Sequence, residues 1–528
     1  MALSGLDLLI VGVYAAALLA VALWVSREPK GETKDTEDYF LAGRALPWWA
    51  IGASLIASNI SAEQIIGQSG QGFAVGLAIA AYEWQAAIVL IIVAKWFLPI
   101  FLKRGIYTMP QFLDQRYGHG VKSLMSVYWV VLYTAVNLTT VLWLGGLAMN
   151  SLTGWPVVLC MAALGAFAAL YSLYGGLKAV ALTDIIQVVI LIGGGLAITW
   201  IALDRIGDAD GAIGGLSRLY NEMPGHFKMI LASDHPAYGD LPGVWTLLGG
   251  LWVLHFSYWG FNQYIIQRAL GAESLAEAQK GLAFAAFLKL FIPLIVVIPG
   301  IAAVMLASQG AVDAGALGEK SDRTYGELMK LAPTGLRGLV FAALIAAVVS
   351  SLASMMNSIS TIFTMDLYRS VVPGRAERHY VAVGRMVAFA AMGAALVLAQ
   401  PFIGGFESGF QTVQEYSGFI APGVVAVFLL GFFSKRTNAA GAFTALFGSI
   451  AVNVALKFGA PEIPFIIRIW IVFMACVAGA VVMSRLTPSP SADKPVALND
   501  ISFSTRFLFN ASAVAVVAIL AAFYVYLW

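Results

Sequence analysis

The sequence predicts an all-α polytopic membrane protein. Hydrophobic residues make up 60% of its 528 residues and charged residues only 11%, against roughly 25% charged in ordinary soluble domains. Mean hydropathy is +0.83. Apolar stretches of the length that crosses a bilayer, about 20 residues, recur along the whole chain. A soluble fold of this size needs far more polar surface to coat its core, so a soluble enzyme and a disordered chain are both excluded. A net charge of +2 gives no reason to expect a nucleic-acid partner. Cys160 and Cys476 both sit in apolar stretches, which argues against a disulfide framework and a cysteine-ligated metal.

About fourteen transmembrane helices are expected, near 4–26, 47–74, 78–102, 121–150, 155–174, 177–204, 244–268, 277–307, 336–369, 379–400, 409–433, 438–457, 463–485 and 505–527. The first reads as a retained helix, because Met1–Asp7 holds no Lys or Arg and the apolar run is long for a signal peptide. With both termini outside, most basic residues fall on inside connections, Arg27, Lys30, Lys34, Arg44, Lys103, Arg104, Arg116, Lys122, Arg268 and Lys494 among them. The outside cations cluster in two long loops, near 205–243 and 308–335, which weigh little in the positive-inside rule. The partner is then the lipid bilayer of a cell (plasma or inner) membrane. The absence of a GxxxxGK[ST] motif argues against an ATP-driven pump.

A few spans hold polar groups that hydrocarbon penalises, and these are the candidate functional residues. The second contains Ala57-Ser58-Asn59-Ile60-Ser61-Ala62-Glu63-Gln64 and then Gly67, Gly70 and Gly72. That density predicts a broken helix whose freed carbonyls can serve as cation ligands. The seventh contains His255-Phe256-Ser257-Tyr258-Trp259-Gly260-Phe261-Asn262, where aromatic faces suit the C–H face of a sugar. Two broken helices five spans apart suggest an inverted repeat, spans two to six against spans seven to eleven. In the ninth, Ser350, Ser354, Asn357, Ser358 and Thr361 share one helical face, with Ser351 beside it. Such hydroxyls suit either a hard cation or close helix packing. Glu83 opens the third span, Gln414 the eleventh, and Lys289 lies mid-span in the eighth, where it needs a carboxylate or a polyhydroxy ligand. Asp184 is read as a cation way-station or as a cap on a helix start after Gly175-Gly176.

These residues resemble the sodium/solute symporter family, and within it the sodium/glucose and sodium/galactose branch. The resemblance rests on Tyr39-Phe40-Leu41-Ala42-Gly43-Arg44, the run from Pro47 to Gly67, Gly105-Ile106-Tyr107-Thr108-Met109-Pro110, Tyr171–Leu177, Tyr258–Gln263 and the Ser350–Thr361 stripe. It implies a five-plus-five inverted-repeat fold with two discontinuous helices, working by alternating access. The single transporter domain 1–528 would divide into an extra helix and loop (1–46), a first repeat (47–204), an outside loop (205–243), a second repeat (244–433) and three further helices (434–528). The resemblance implies a Na+ site at the carbonyls of Ala57, Ile60 and Ala347 and the hydroxyls of Ser350 and Ser351, with Asp184 receiving the outgoing ion. It implies a sugar site of Gln64, Glu83, Lys289, Ser354 and Gln414, with Asn59 nearby, and a gate of Tyr258 with Trp259 adjoining. His255 stands where a bacterial galactose-transporting member has Asn, and Ala86 where it has Ser, which bears on the preferred hexose. The function implied is a Na+-driven sugar symporter and no enzyme. A Na+ symporter for another small solute (myo-inositol, an amino acid, a vitamin) and a non-transporting sensor or uniporter are the alternatives.

Overall fold

The computed structural model describes residues 3–25, 41–404, 408–488, 496 and 498–528. Arg27, Lys30, Lys34, Tyr39, Phe40 and Lys494 lie outside the described residues. Among the described residues the fold is helical without strands, apart from an isolated bridge pairing Leu46 with Ala272. Among the described residues ten helices are long and apolar enough to cross a membrane, and two shorter apolar stretches, Gly5–Val21 and Val157–Leu170, accompany them. The second and seventh spans are not in this set, and both are interrupted.

Each interruption has a local cause. Helix Trp48–Asn59 stops where Ile60 leaves helical geometry (ψ 76°). The chain restarts as a wide π-turn, Glu63–Gly67, and continues as Gln68–Ala74. Ser61 caps the restart. Its hydroxyl accepts from the Glu63 N–H at 3.1 Å, and the Gln64 side-chain oxygen accepts from the Ser61 N–H at 3.3 Å. This reciprocal Ser-x-x-Gln box satisfies the free N–H groups where no water reaches them. The seventh span repeats the device. Leu251–His255 runs into a π-turn, Phe256–Phe261, then Asn262 turns extended (φ −79°, ψ 122°). Helix Gln263–Leu270 restarts with the Asn262 side chain accepting from the Tyr264 N–H at 3.2 Å.

Two regions show features that hydropathy does not. Lys289 lies mid-span in the eighth, as expected, and the helix breaks there: Leu275–Lys289 is followed by Ile292–Ser308. Pro293 has no N–H, and its ring conflicts with the carbonyl four residues back, which belongs to Lys289. The freed Leu290 carbonyl accepts from Trp84 Nε1 at 3.3 Å. The fifth and sixth spans, by contrast, form one helical run, Val157–Gly207. Phe167 and Gln187 nevertheless line the same small cavity with Leu18, Leu19 and Val349. A straight helix would set them roughly 30 Å apart, so the run doubles back between them. Asp184 therefore lies within a helical run and does not cap a helix start.

The broken second and eighth spans run side by side in the same direction. Below the breaks, a Cβ on Gly52 would lie 2.8 Å from the Gly281 carbonyl, and one on Gly281 would lie 2.8 Å from Ile51 Cβ. Above them, a Cβ on Gly300 would lie 2.2 Å from the Ser69 carbonyl, and one on Gly72 would lie 2.6 Å from the Val297 carbonyl. Only glycine permits backbones this close.

Contacts between connections sort to two ends. At one, Asp7 Oδ1 accepts from the N–H groups of Gly335 and Gly338 (2.7 and 2.9 Å), and the Met229 N–H donates to the Leu527 carbonyl at 2.8 Å. At the other, the Leu46 N–H donates to the Gly271 carbonyl at 3.0 Å, and Arg116 donates to the carbonyls of Ser434 and Thr437 (2.8 and 2.7 Å).

The Gly300 contact is testable. Gly300→Val forces two backbones apart and is expected to cost about 3 kcal/mol, the upper end of ordinary overpacking. The check is the melting temperature of the purified protein, and an unchanged value would refute the contact.

Candidate functional site

The two breaks and the end of helix Leu275–Lys289 meet at one partly open cavity. Its wall carries Asn59, Gln64, Glu83, His255, Tyr258, Trp259, Lys289 and Gln414, all eight predicted from sequence. Helix Ala81–Ile92 presents Glu83 in its first turn, and helix Gly409–Phe433 presents Gln414 in its second.

Lys289 organises the wall. Its ammonium donates to Asn59 Oδ1 and Glu83 Oε2 and lies 4.8 Å from the centre of the Trp259 ring, within cation–π range. Glu83 also accepts from Gln68 Nε2 at 2.7 Å. Lys289 and Glu83 are both 1% exposed, so each charge is stable there only through the other. Asn59 passes the chain on, since its amide donates to the Tyr258 hydroxyl at 3.2 Å. The Tyr264 hydroxyl donates to that same oxygen at 2.8 Å.

Several wall atoms make no protein hydrogen bond among the described residues: Glu63 Oε1, Gln68 Oε1, Asn137 Oδ1 and His255 Nε2. Buried polar atoms in that condition need a ligand or water. Glu63, Gln68, Asn137 and Asn262 were not assigned to the site from sequence, although each line the cavity. The signals existed. Asn137 is an amide in mid-span, and Gln68 follows Gln64 at helical spacing.

Ser354 is placed elsewhere. It is absent from the cavity wall and belongs to a second buried cluster beside it. There Ser54 Oγ donates to Asp184 Oδ2 at 2.5 Å, and Ser350 Oγ donates to Asp184 Oδ1. Ser351 Oγ donates to the Ser58 carbonyl at 3.1 Å. Ser354 Oγ lies 3.3 Å from Ser58 Oγ and donates to the Ser350 carbonyl at 2.7 Å. Arg268, expected on an inside connection, is 1% exposed and lies in this cluster. It donates to Ser54 Oγ at 2.7 Å and Ser354 Oγ at 2.5 Å, with Asp184 Oδ2 3.6 Å away.

Two of the expected Na+ ligands, Ser350 and Ser351, lie in this cluster. Helix Trp48–Asn59 ends at this level, so the carbonyls of its last turn lack helical partners, Ala57 among them, and Ile60 follows at the bend. Ser350 and Ser351 give their protons to Asp184 and to the Ser58 carbonyl, which leaves hydroxyl lone pairs for a cation. Ala347 lies one turn before Ser350 and Ser351 on helix Leu336–Ile362, and all three are buried. Oxygen-only donors fit a hard monovalent ion.

A model of the sodium:solute symporter family matches residues 39–448. The chain belongs to this family. Its members are membrane transporters and not enzymes, and Na+ is their coupling ion. The chain is 47% identical to a sodium/glucose cotransporter of Vibrio parahaemolyticus, across 100% of this chain and 99% of that protein. It is 34% identical to sodium/myo-inositol cotransporter 2 of Mus musculus, across 83% of this chain and 68% of that protein. Among solved structures, a Na+-coupled sialic acid symporter in a substrate-bound outward-open state superposes with a TM-score of 0.81 at 22% identity. That match covers 93% of this chain and all of the other, and it shows a shared fold.

The ion pair of this symporter gives a second prediction. Lys289→Ala strands a buried carboxylate and is expected to cost about 3–5 kcal/mol. Adding Glu83→Gln removes the stranded charge and should restore more than half of that loss. Thermal melts of the single and double variants decide it, and equal destabilisation in both would show that the two side chains are not paired.

Proposed function

We propose that this symporter couples Na+ entry to uptake of a sugar such as glucose or galactose by alternating access. The observation that carries the reading is the polar cavity built around Lys289 and Glu83, next to an oxygen-lined cluster on the same broken helix. Lys289 holds the amide of Asn59 and the carboxylate of Glu83, and Gln64, Gln414 and His255 bring further donors and acceptors to the wall. Neutral hydroxyls suit such a wall. A free carboxylate does not, because the Lys289 charge is already matched, and this disfavours an amino-acid substrate. Another polyhydroxylated ring is the second reading, favoured by the resemblance to a myo-inositol cotransporter.

In this proposal Na+ binds at Ala57, Ile60, Ala347, Ser350 and Ser351, with Asp184 beside the exit. Binding there joins the broken second span to helix Leu336–Ile362 and favours the state that admits sugar. Coupling requires that ion affinity differ between the two states. A potential of about 100 mV supplies roughly 2.3 kcal/mol per charge, and a tenfold ion gradient about 1.4 kcal/mol more. At one ion per sugar these support accumulation of roughly several hundredfold. We extend the proposal to topology. The ten long helices, two shorter apolar stretches and two interrupted spans make fourteen crossings arranged as a five-plus-five inverted repeat, with both termini outside a plasma or inner membrane.

The test is uptake into liposomes under an imposed Na+ gradient, using labelled hexoses, polyols and amino acids. Ser351→Ala is expected to raise the Na+ concentration for half-maximal uptake about tenfold, as loss of one ligand to a charge implies, with sugar affinity at saturating Na+ little changed. Gln414→Ala should do the reverse. Uptake of hexose that ignores the Na+ gradient would defeat the proposal, and uptake restricted to polyols or amino acids would replace the sugar.

A further inference from the structure

Arg268 has no part in the transport scheme above, yet among the described residues it is the cation that enters the second cluster. Its guanidinium is tied to four segments of chain. It reaches Ser54 on helix Trp48–Asn59 at 2.7 Å and Ser354 on helix Leu336–Ile362 at 2.5 Å. It also donates to the Tyr264 carbonyl of its own short helix, and Asp184 of the Val157–Gly207 run is 3.6 Å away. Asp184 and Arg268 are both essentially unexposed. Among the described residues the contacts of this cluster bring together one acid and one base, which balance.

We propose that Arg268 is a tethered cation that competes with Na+ for this cluster, so that the guanidinium must withdraw from Asp184 for the ion to be held and its return helps to expel the ion. This rests on the Na+ site proposed above. The reasoning is electrostatic. Two positive charges and one carboxylate buried together leave a net charge with no water to solvate it, whereas exchange of one cation for the other keeps the cluster neutral. The oxygens are shared too. Ser350 and Asp184, which face the ion site, are bonded to each other, and Ser354 and Ser54 beside them are taken by the guanidinium.

The position of Arg268 links this exchange to the sugar. Helix Gln263–Leu270 is only 8 residues long and hangs from the break at Asn262. It also carries Tyr264, whose hydroxyl holds that of Tyr258 on the cavity wall. Any displacement of this helix that draws the guanidinium from Asp184 therefore also moves the Tyr264–Tyr258 contact.

The experiment is equilibrium binding of radioactive 22Na+ to the purified full-length protein, with Na+-dependent thermal stabilisation as a second readout. Wild type, Arg268→Gln, Arg268→Lys and Ser351→Ala are compared. Without its competitor, Arg268→Gln is expected to bind Na+ at least tenfold more tightly and to gain more melting temperature from added Na+, while Na+-driven sugar uptake slows at least tenfold because release is impaired. Unchanged or weakened Na+ affinity in Arg268→Gln overturns the proposal. Should that variant not fold, Arg268→Lys decides instead. Its single ammonium does not span Ser54 and Ser354 together, so Na+ affinity should rise several-fold, and an unchanged or lower affinity overturns the proposal. Ser351→Ala reports separately on the ion site. Unchanged Na+ binding in that variant defeats the site assignment, whichever way Arg268 behaves.

Discussion

An ammonium group held away from water has to be matched where it stands, and Lys289 is matched by Glu83, Asn59 and the Trp259 ring. Much of the interior follows from that demand. Glu83 has to open the third span at the depth where Lys289 closes a helix. Asn59 has to end the first half of the second span there. Trp259 has to lie on the broken seventh span, facing inward. Three separate interruptions are thereby brought to one level, and the cavity is the space they leave. Replacing such a pair by hydrocarbon often stabilises a protein, so its presence here fits a wall shaped for a polar guest.

Broken helices in a membrane are stable only if each one satisfies its own loose ends. The second span does so with Ser61 and Gln64, the seventh with Asn262, and the eighth partly through Trp84. The caps are themselves functional groups. Gln64 uses its oxygen for the cap while its side chain lines the cavity. Asn262 takes a hydrogen bond from the Tyr133 hydroxyl at 2.8 Å and also borders the cavity. The protein thus obtains a polar wall from the same atoms that terminate its helices.

Most of this was legible in the sequence, because hydrocarbon makes every polar residue in a span conspicuous. Composition alone marks the membrane, and the density of polar groups marks both major breaks. The local grammar was legible too, in Ser61-x-x-Gln64 and in Pro293 four residues after Lys289, but a hydropathy count passes over both. Arg268 could not be placed this way. A cation at the end of an apolar stretch looks like a loop residue until its counter-charge is known, and Asp184 lies 84 positions earlier in the chain. The place of Ser354, off the cavity wall, was hidden for a related reason. It shares a helical face with the rest of its stripe, but a face 27 residues long, Leu336–Ile362, passes more than one neighbourhood. The doubling back of Val157–Gly207 agrees with the two spans expected there, 155–174 and 177–204.

The paired glycines carry a mechanical consequence. The second and eighth spans are clamped to each other on both sides of their breaks, at Gly52 with Gly281 and at Gly72 with Gly300, and Lys289 bonds Asn59 at the breaks themselves. Together they make a two-bar linkage whose upper and lower members are each stiff and whose joint is shared. With the backbones this close on both sides, a bend of the second span at Ile60 is expected to carry the eighth with it at Leu290, about the Lys289–Asn59 contact.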